Sequence, residues 1–130
     1  MIKIKLASVL VNDQNKARKF YTEILGFIIK NDMPCGADFW LTVGSPAAPD
    51  EVELLLEPLG LDVAKTFQQA LYQQGLPVIV FGVADVKAEF ERLKKLGVRF
   101  QKEPAKSEWG IAAVLDDGCG NFVQIHQVEV

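Results

Sequence analysis

Four polar side chains that could do chemistry stand in two otherwise apolar stretches of this sequence. Glu53 and Glu57 lie in VELLLEP, and Gln124 and His126 lie in NFVQIHQ. Because side chains alternate along a strand, each pair shares one face of its stretch. Carboxylates, amide oxygens and imidazoles are metal ligands, and imidazole suits Zn, Ni or Fe. A carboxylate among apolar side chains can instead act as a general base or pair with a cationic ligand.

The elements that must position these side chains form an internal duplication. The segment VNDQNKARKFYTEILGF (Val11 to Phe27) is matched by VADVKAEFERLKKLGVRF (Val83 to Phe100). Each copy runs from an apolar strand through an Asp cap and an amphipathic helix to a Leu-Gly stop. A unit of about 70 residues that occurs only twice predicts two modules around a pseudo-twofold axis, not a solenoid.

The coarse pattern predicts a β-α-β-β-β order in each module. Helices on one face of mixed sheets make the fold class α+β. The predicted organisation is a single domain over residues 1–130, with module one at 1–60, a connecting helix at 61–75 and module two at 76–130. The predicted strands cover residues 2–11, 27–30, 39–43, 51–57, 78–83, 98–101, 109–115 and 122–128.

Composition limits the classes of partner. The chain has 130 residues, 49% of them apolar and 24% charged, with a net charge of -3, which is typical of a soluble globular protein. No basic face favours nucleic acid, and no apolar run approaches the roughly 18 residues of a membrane span. The start of the sequence lacks a secretory signal pattern, so we expect a cytoplasmic protein with no nucleic-acid and no membrane partner. Cys35 and Cys119 are far apart, which predicts reduced thiols.

With the repeat and the strand motifs in view, the sequence resembles the vicinal oxygen chelate superfamily. That superfamily contains glyoxalase I, bleomycin-resistance proteins and extradiol dioxygenases. The resemblance covers nearly the whole chain, and three stretches carry it: Val11 to Phe27, Val52 to Pro58, and DGCGNFVQIHQ (Asp117 to Gln127). The resemblance implies that each module curls four strands into half a barrel, with helices outside. The two halves would enclose a cleft where ligands bind, often beside a divalent metal.

The resemblance also implies metal ligands on the first and last strand of each module. The first-strand position lies seven residues before the Asp that precedes each helix, which gives Leu6 and Val78. Neither can coordinate a metal. The matching last-strand positions are Glu53 and Gln124, and these two side chains would hold a metal poorly, because such a site needs three or four protein ligands. We therefore predict no metal and no other cofactor.

One alternative keeps a divalent metal. If the two polar strand faces meet across the cleft, a displaced site could form with His126 as its borderline-soft donor. Its ligands would be Glu53, Glu57, Gln124 and His126. The opposing interpretation is that His126 makes an ordinary hydrogen bond near the end of its strand and Glu57 is solvated.

Without a metal, the cleft would be an apolar channel with a few polar anchors, which suits capture of a small, partly hydrophobic molecule. Glu53 is the one candidate catalytic residue, as a general base. Trp40 and Trp109 are predicted on equivalent third strands, where they could stack on a flat ligand or make core or dimer contacts. The predicted ligand-binding residues are Leu6, Ser8, Trp40, Leu55, Val78, Val80, Trp109 and Gln124.

The sequence therefore predicts a small-molecule-binding protein of this superfamily that lacks the usual metal site, and the resemblance implies a homodimer. The alternative is a metal-dependent or general-base lyase, isomerase or dioxygenase that acts in the same cleft. A third hypothesis is an interaction module with a closed cleft. No GxSxG, phosphate-binding glycine loop or HExxH motif occurs, which argues against nucleophilic hydrolysis and dinucleotide chemistry.

Overall fold

Each repeat builds its own four-stranded mixed sheet with a helix against one side. The computed structural model describes residues 1–128. Contacts divide the chain into a first unit, Met1–Lys65, and a second unit from Thr66 onward. The α+β class and the two tandem modules are confirmed. No helix in residues 1–128 has both the length and the apolar character of a membrane span.

In the first unit, the strand order is β1-β4-β3-β2, with β1 parallel to β4 and the other pairs antiparallel. Helix α1 begins after Asp13, whose carboxylate accepts hydrogen bonds from the backbone N–H groups of Asn15 and Lys16, as its capping role predicts. The elements are β1 (Leu6–Val11), α1 (Gln14–Lys19) continued by a π-helical turn (Phe20–Ile24), β2 (Ile28–Cys35), β3 (Asp38–Gly44) and β4 (Glu53–Pro58).

The second unit repeats this topology with the order β5-β8-β7-β6. Asp85 caps its helix by accepting from the N–H of Ala88. Both repeat helices end at a glycine with positive φ, Gly26 at +90° and Gly97 at +88°, which confirms the Leu-Gly stops. The remaining elements are α2 (Asp62–Gln73), whose first turn belongs to the first unit, and then β5 (Pro77–Gly82), α3 (Val86–Lys95), β6 (Phe100–Ser107), β7 (Gly110–Asp116) and β8 (Phe122–Gln127).

Several strand boundaries differ from the prediction. The edge strands β2 and β6 run well beyond residues 30 and 101, although each contains a proline, Pro34 or Pro104. A proline at a sheet edge removes no interior ladder bond, so these turn-like residues remain in strands. The first strand begins at Leu6 and not at Ile2, because Ile2 and Ile4 are exposed and find no strand partner.

One face of sheet one packs against helix α1 and forms the core of the first unit. Tyr21 and Ala17 from the helix segment are fully buried there. The sheet residues on this face are Val9, Val11, Leu41, Val43, Leu54 and Leu56, all of them buried. Alternation then directs the intervening side chains of the same strands to the opposite face.

A glutamine joins helix and sheet in each unit, but from opposite sides. In the first unit, Gln14 of α1 is buried; its Nε2 donates to the carbonyls of Phe39 and Leu56 at 2.9 Å, and its Oε1 accepts from the Phe39 N–H at 3.0 Å. In the second unit, Gln127 of β8 accepts at Oε1 from the N–H of Val86, the first residue of α3. These bonds fix each helix on its sheet.

The turn before β8 is built around a buried carboxylate. Asp117 Oδ1 accepts from the N–H groups of Cys119 and Asn121, at 2.7 and 3.1 Å. Gln68 of α2 is also buried and donates to the Cys119 carbonyl and to Asn121 Oδ1. The turn from Asp117 to Asn121 thus sets where β8 starts and keeps Cys119 buried.

Candidate functional site

The predicted ligand-binding residues of the first unit share one face of sheet one. Strand pairing places Leu6 opposite Glu53, Ser8 opposite Leu55, and Leu55 opposite Thr42. Directly paired residues point to the same side of a sheet. We call this surface the Glu53 face, and its main side chains are Leu6, Ser8, Leu10, Asn31, Met33, Trp40, Thr42, Glu53, Leu55 and Glu57.

Three polar side chains on the Glu53 face are joined by hydrogen bonds. Glu53 Oε1 accepts from Thr42 Oγ1 at 2.7 Å and from Asn31 Nδ2 at 3.0 Å, and the same amide nitrogen donates to Thr42 Oγ1 at 3.0 Å. The single hydroxyl proton of Thr42 goes to the carboxylate, so its oxygen must accept from Asn31. This trio holds the Glu53 carboxylate in one orientation, and Thr42 is only 1% exposed.

The trio leaves two acceptor oxygens for something outside the protein. Within residues 1–128, Glu53 Oε2 and Asn31 Oδ1 accept no hydrogen bond, and Glu53 has no ion pair. No buried side-chain nitrogen or oxygen in that part of the chain lacks a partner. Both oxygens are therefore accessible to solvent, and a ligand that carries hydrogen-bond donors could take the place of water there.

Apolar side chains surround this anchor. Leu6 is 42% exposed, Trp40 39% and Met33 54%, whereas Leu55 on the same face is buried. Trp40 lies two residues from Thr42 along β3, a separation of about 7 Å. A large apolar surface beside a few fixed polar groups is the usual composition of a small-molecule site.

Sequence reasoning missed Thr42, Asn31 and Met33. The alternation in β3 could have found Thr42, because it lies on the same face as Trp40. Asn31 could not be found in that way. It lies between the predicted strands 27–30 and 39–43, and a bulge between Ile29 and Asn31 sets which face it occupies.

The predicted residues of the second unit show a different pattern. Val80 lies opposite Gln124 on sheet two, while Val78 falls in an irregular part of the β5–β8 pairing. His126 Nε2 lies 3.0 Å from the Trp109 carbonyl oxygen, which fits a proton on Nε2. The prediction that Trp109 lies on a strand is wrong: it stands in the turn between β6 and β7, and the residue is 74% exposed.

Glu53 and Gln124 do not occupy matching positions in the two sheets. Leu10 pairs with Glu57, and its repeat equivalent Gly82 pairs with His126. Glu53 lies four residues before Glu57, so its equivalent in the second repeat is the residue four before His126, which is Phe122. Phe122 is stacked on Tyr72 of α2, with the ring centroids 4.3 Å apart and the planes at 4°. The polar trio is therefore particular to sheet one.

Tyr72 also donates its hydroxyl proton to Asp116 Oδ2 at 2.5 Å. This hydrogen bond to the carboxylate, with burial and the negative charge of Asp116, raises the pKa of Tyr72 above its usual value of 10.0. The protonated form is then favoured in the folded state, so its stabilising contribution is complete below pH 10 and is lost as the pH rises through the folded pKa.

We therefore expect the free energy of unfolding to fall more steeply above pH 10 in the wild type than in Tyr72→Phe. Urea unfolding between pH 8 and 11 measures both curves. Lysine deprotonation affects the two proteins equally, so the difference between their free energies of unfolding reports the deprotonation of Tyr72 alone. Parallel curves would contradict the role of this hydrogen bond.

Comparison with known proteins then decides the family. Residues 3–125 match the family model of the Glyoxalase/Bleomycin resistance protein/Dioxygenase superfamily. The chain belongs to this superfamily. The resemblance seen in the sequence is thereby confirmed, and the match covers both units.

Similar members of the superfamily align with the chain over nearly its full length. The uncharacterized protein YurT of Bacillus subtilis (strain 168) is 48% identical over 126 residues, which is 97% of this chain and 99% of YurT. The crystal structure of UcmS2 has 34% identity and a TM-score of 0.84, covering 97% of this chain and 98% of UcmS2. TnmS3, an antibiotic-binding protein from Streptomyces sp. CB03234, has 28% identity and a TM-score of 0.76, covering 99% of this chain and 98% of TnmS3.

The side chains that could coordinate a metal in each sheet do not fit the metal centre implied for many members of this superfamily. The strand neighbour of Glu53 is Leu6, and the neighbour of Gln124 on β5 is Val80. Neither apolar side chain can coordinate an ion. Among residues 1–128, no three His, Cys, Asp or Glu side chains are grouped as a metal site requires. The displaced site of Glu53, Glu57, Gln124 and His126 would draw on both units and stays a prediction.

Proposed function

We propose that this protein binds a small, partly hydrophobic molecule on the Glu53 face, and that it does so without a metal. One observation carries the proposal: the Glu53 carboxylate is held by Thr42 and Asn31 and has an accessible second oxygen, beside the exposed side chain of Trp40. Apolar area supplies affinity in such a site, and the fixed polar group orients the ligand.

Two further findings support the proposal. TnmS3, which is similar along its whole length, is an antibiotic-binding protein, so capture of an organic molecule is compatible with this fold. The apolar neighbours of Glu53 and Gln124 support the metal-free form. General-base catalysis by Glu53 and the displaced-metal lyase, isomerase or dioxygenase stay alternatives, and no contact of the described residues favours them over binding.

Tryptophan fluorescence tests the location of the site, because the chain has only two tryptophans. Trp109→Phe leaves Trp40 as the sole reporter, and Trp40→Phe leaves Trp109. We expect that titration with a flat aromatic compound, 9-aminoacridine, changes the emission of Trp40 saturably and leaves that of Trp109 nearly constant. A saturable change at Trp109 alone would contradict the proposed location.

Metal analysis tests the metal-free form. Elemental mass spectrometry of the purified protein, before and after dialysis against a chelator and after reloading with Zn, Ni, Mn or Fe(II), should find far less than one retained ion per chain. 9-Aminoacridine binding should be the same in the presence of the chelator. Stoichiometric retained metal would instead direct attention to Glu53, Glu57 and His126.

A homodimer and a cytoplasmic location belong to the same proposal. Phe67 and Val63 on α2 are 57% and 69% exposed, and exposed apolar side chains of this kind support a dimer contact. Sedimentation of the purified protein distinguishes a dimer from a monomer.

A further inference from the structure

We infer that the Glu53 face selects ligands that carry a positively charged hydrogen-bond donor, such as an aromatic amine in its cationic form. The inference rests on the proposed function and adds the chemical class of the ligand. It follows from three properties of the trio: which oxygens it leaves accessible, what charge surrounds it, and which surface lies beside it.

The accessible atoms of the trio are acceptors. Thr42 gives its proton to Glu53 Oε1, and Asn31 gives its amide protons to Thr42 and Glu53. What remains accessible is Glu53 Oε2 and Asn31 Oδ1, neither of which has a proton to donate. A ligand that offers only acceptors, such as a carboxylate or a phosphate, finds no partner here. A ligand with N–H or O–H groups finds two.

The charge on the Glu53 face favours a cation over a neutral donor. Lys30, the bulge residue of β2, passes its side chain beside Gly44 of β3, but among residues 1–128 neither Lys30 nor any other cationic side chain forms an ion pair with Glu53. Within residues 1–128, Arg18 forms its ion pair with Asp32 and not with Glu53. A charge-assisted hydrogen bond is stronger than a neutral one. Because Thr42 and Asn31 already hold the Glu53 carboxylate in place, it loses little conformational freedom when a ligand binds.

The surface beside the trio favours a flat body attached to that cation. Trp40 and Met33 are paired neighbours on β3 and β2, and both are exposed. An aromatic ring stacks on an indole and contacts a thioether favourably. Asn31 pairs with Thr42 in the adjoining row, so a flat ligand on Trp40 can direct its amino group toward Glu53 Oε2.

The test compares two probes that share one ring system. Acridine is neutral at pH 7, whereas 9-aminoacridine is cationic and carries N–H donors. Binding is measured by calorimetry and by the emission of Trp40 in the Trp109→Phe protein. We expect wild-type protein to bind 9-aminoacridine about tenfold more tightly than acridine.

Two substitutions in the first unit separate the carboxylate of the trio from general surface charge. Glu53→Gln keeps the shape but removes the charge and replaces one acceptor by a donor. It should weaken 9-aminoacridine binding about tenfold and leave acridine binding within about twofold. Glu23→Gln removes the same charge from an exposed residue of the π-helical turn, outside the Glu53 face, and it should leave both affinities within about twofold. Melting temperatures confirm that both variants are folded.

Each outcome bears on a different statement. If both probes bind equally well and Glu53→Gln changes neither, the inference is overturned and the proposed function stands. Equal weakening of both probes by Glu53→Gln also overturns the inference, because Glu53 would then maintain the surface without selecting charge. If neither probe binds up to its solubility limit, the proposed site fails and the inference fails with it.

Discussion

Replacement of Gly110 by alanine should lower the free energy of unfolding of the second unit by about 4 kcal/mol. Gly110 has a φ of +128°, a region that side chains with a Cβ rarely occupy. A Cβ atom there would also collide with the backbone carbonyl oxygen of Gln127. That carbonyl belongs to β8, which is paired to β7 next to the glycine, so neither strand can move without loss of ladder bonds.

Gly118→Ala is the matched control. Gly118 also has a positive φ, +70°, but no atom lies within 4 Å of its would-be Cβ, so only the backbone strain of about 1 kcal/mol applies. Guanidinium unfolding of both variants, followed by Trp109 emission in the Trp40→Phe background, measures the second unit. Equal losses for the two glycines would show that the collision is relieved by a small strand movement.

Gln14→Leu should destabilise the first unit by about 3 to 5 kcal/mol. The substitution keeps the side chain buried and nearly the same size, but it leaves three backbone groups without their partner: the N–H and carbonyl of Phe39 and the carbonyl of Leu56. Each buried polar group that loses its partner costs about 1 to 3 kcal/mol. Unfolding followed by Trp40 emission in the Trp109→Phe background measures this effect.

The same substitution at Gln69 provides the comparison. Gln69 is exposed on α2, so Gln69→Leu should change stability by less than about 0.5 kcal/mol. If Gln14→Leu proved neutral, the apolar packing of the leucine side chain would outweigh the lost hydrogen bonds, and Gln14 would not be what holds α1 to the sheet.

Local signals in the sequence predict most of the fold. Asp13 and Asp85 are recognisable as helix caps, and Gly26 and Gly97 as helix ends, because capping and positive φ depend on residue type alone. Strand alternation places Leu6, Ser8 and Leu55 on the Glu53 face, because it depends only on spacing.

The errors occur where partners distant in sequence decide the structure. β2 extends to Cys35 because β3 supplies hydrogen bonds to an edge strand, and turn-like residue types do not reveal that partner. The bulge before Asn31 and the irregular pairing near Val78 change which residues face each other. The prediction for Trp109 is wrong because periodicity does not distinguish a strand end from the turn beside it.

Gln14 joins helix to sheet from the helix, whereas Gln127 does so from the strand, and the two repeats therefore cannot replace each other. If recombination copied residues 83–100 over residues 11–27, a valine equivalent to Val86 would replace Gln14, and the buried groups of Phe39 and Leu56 would lose their partner. The product of such an exchange would fold poorly and be removed by selection. Two halves that cannot overwrite each other can diverge, which is how a polar trio can evolve on one sheet while a stacked Phe122 occupies the same place on the other.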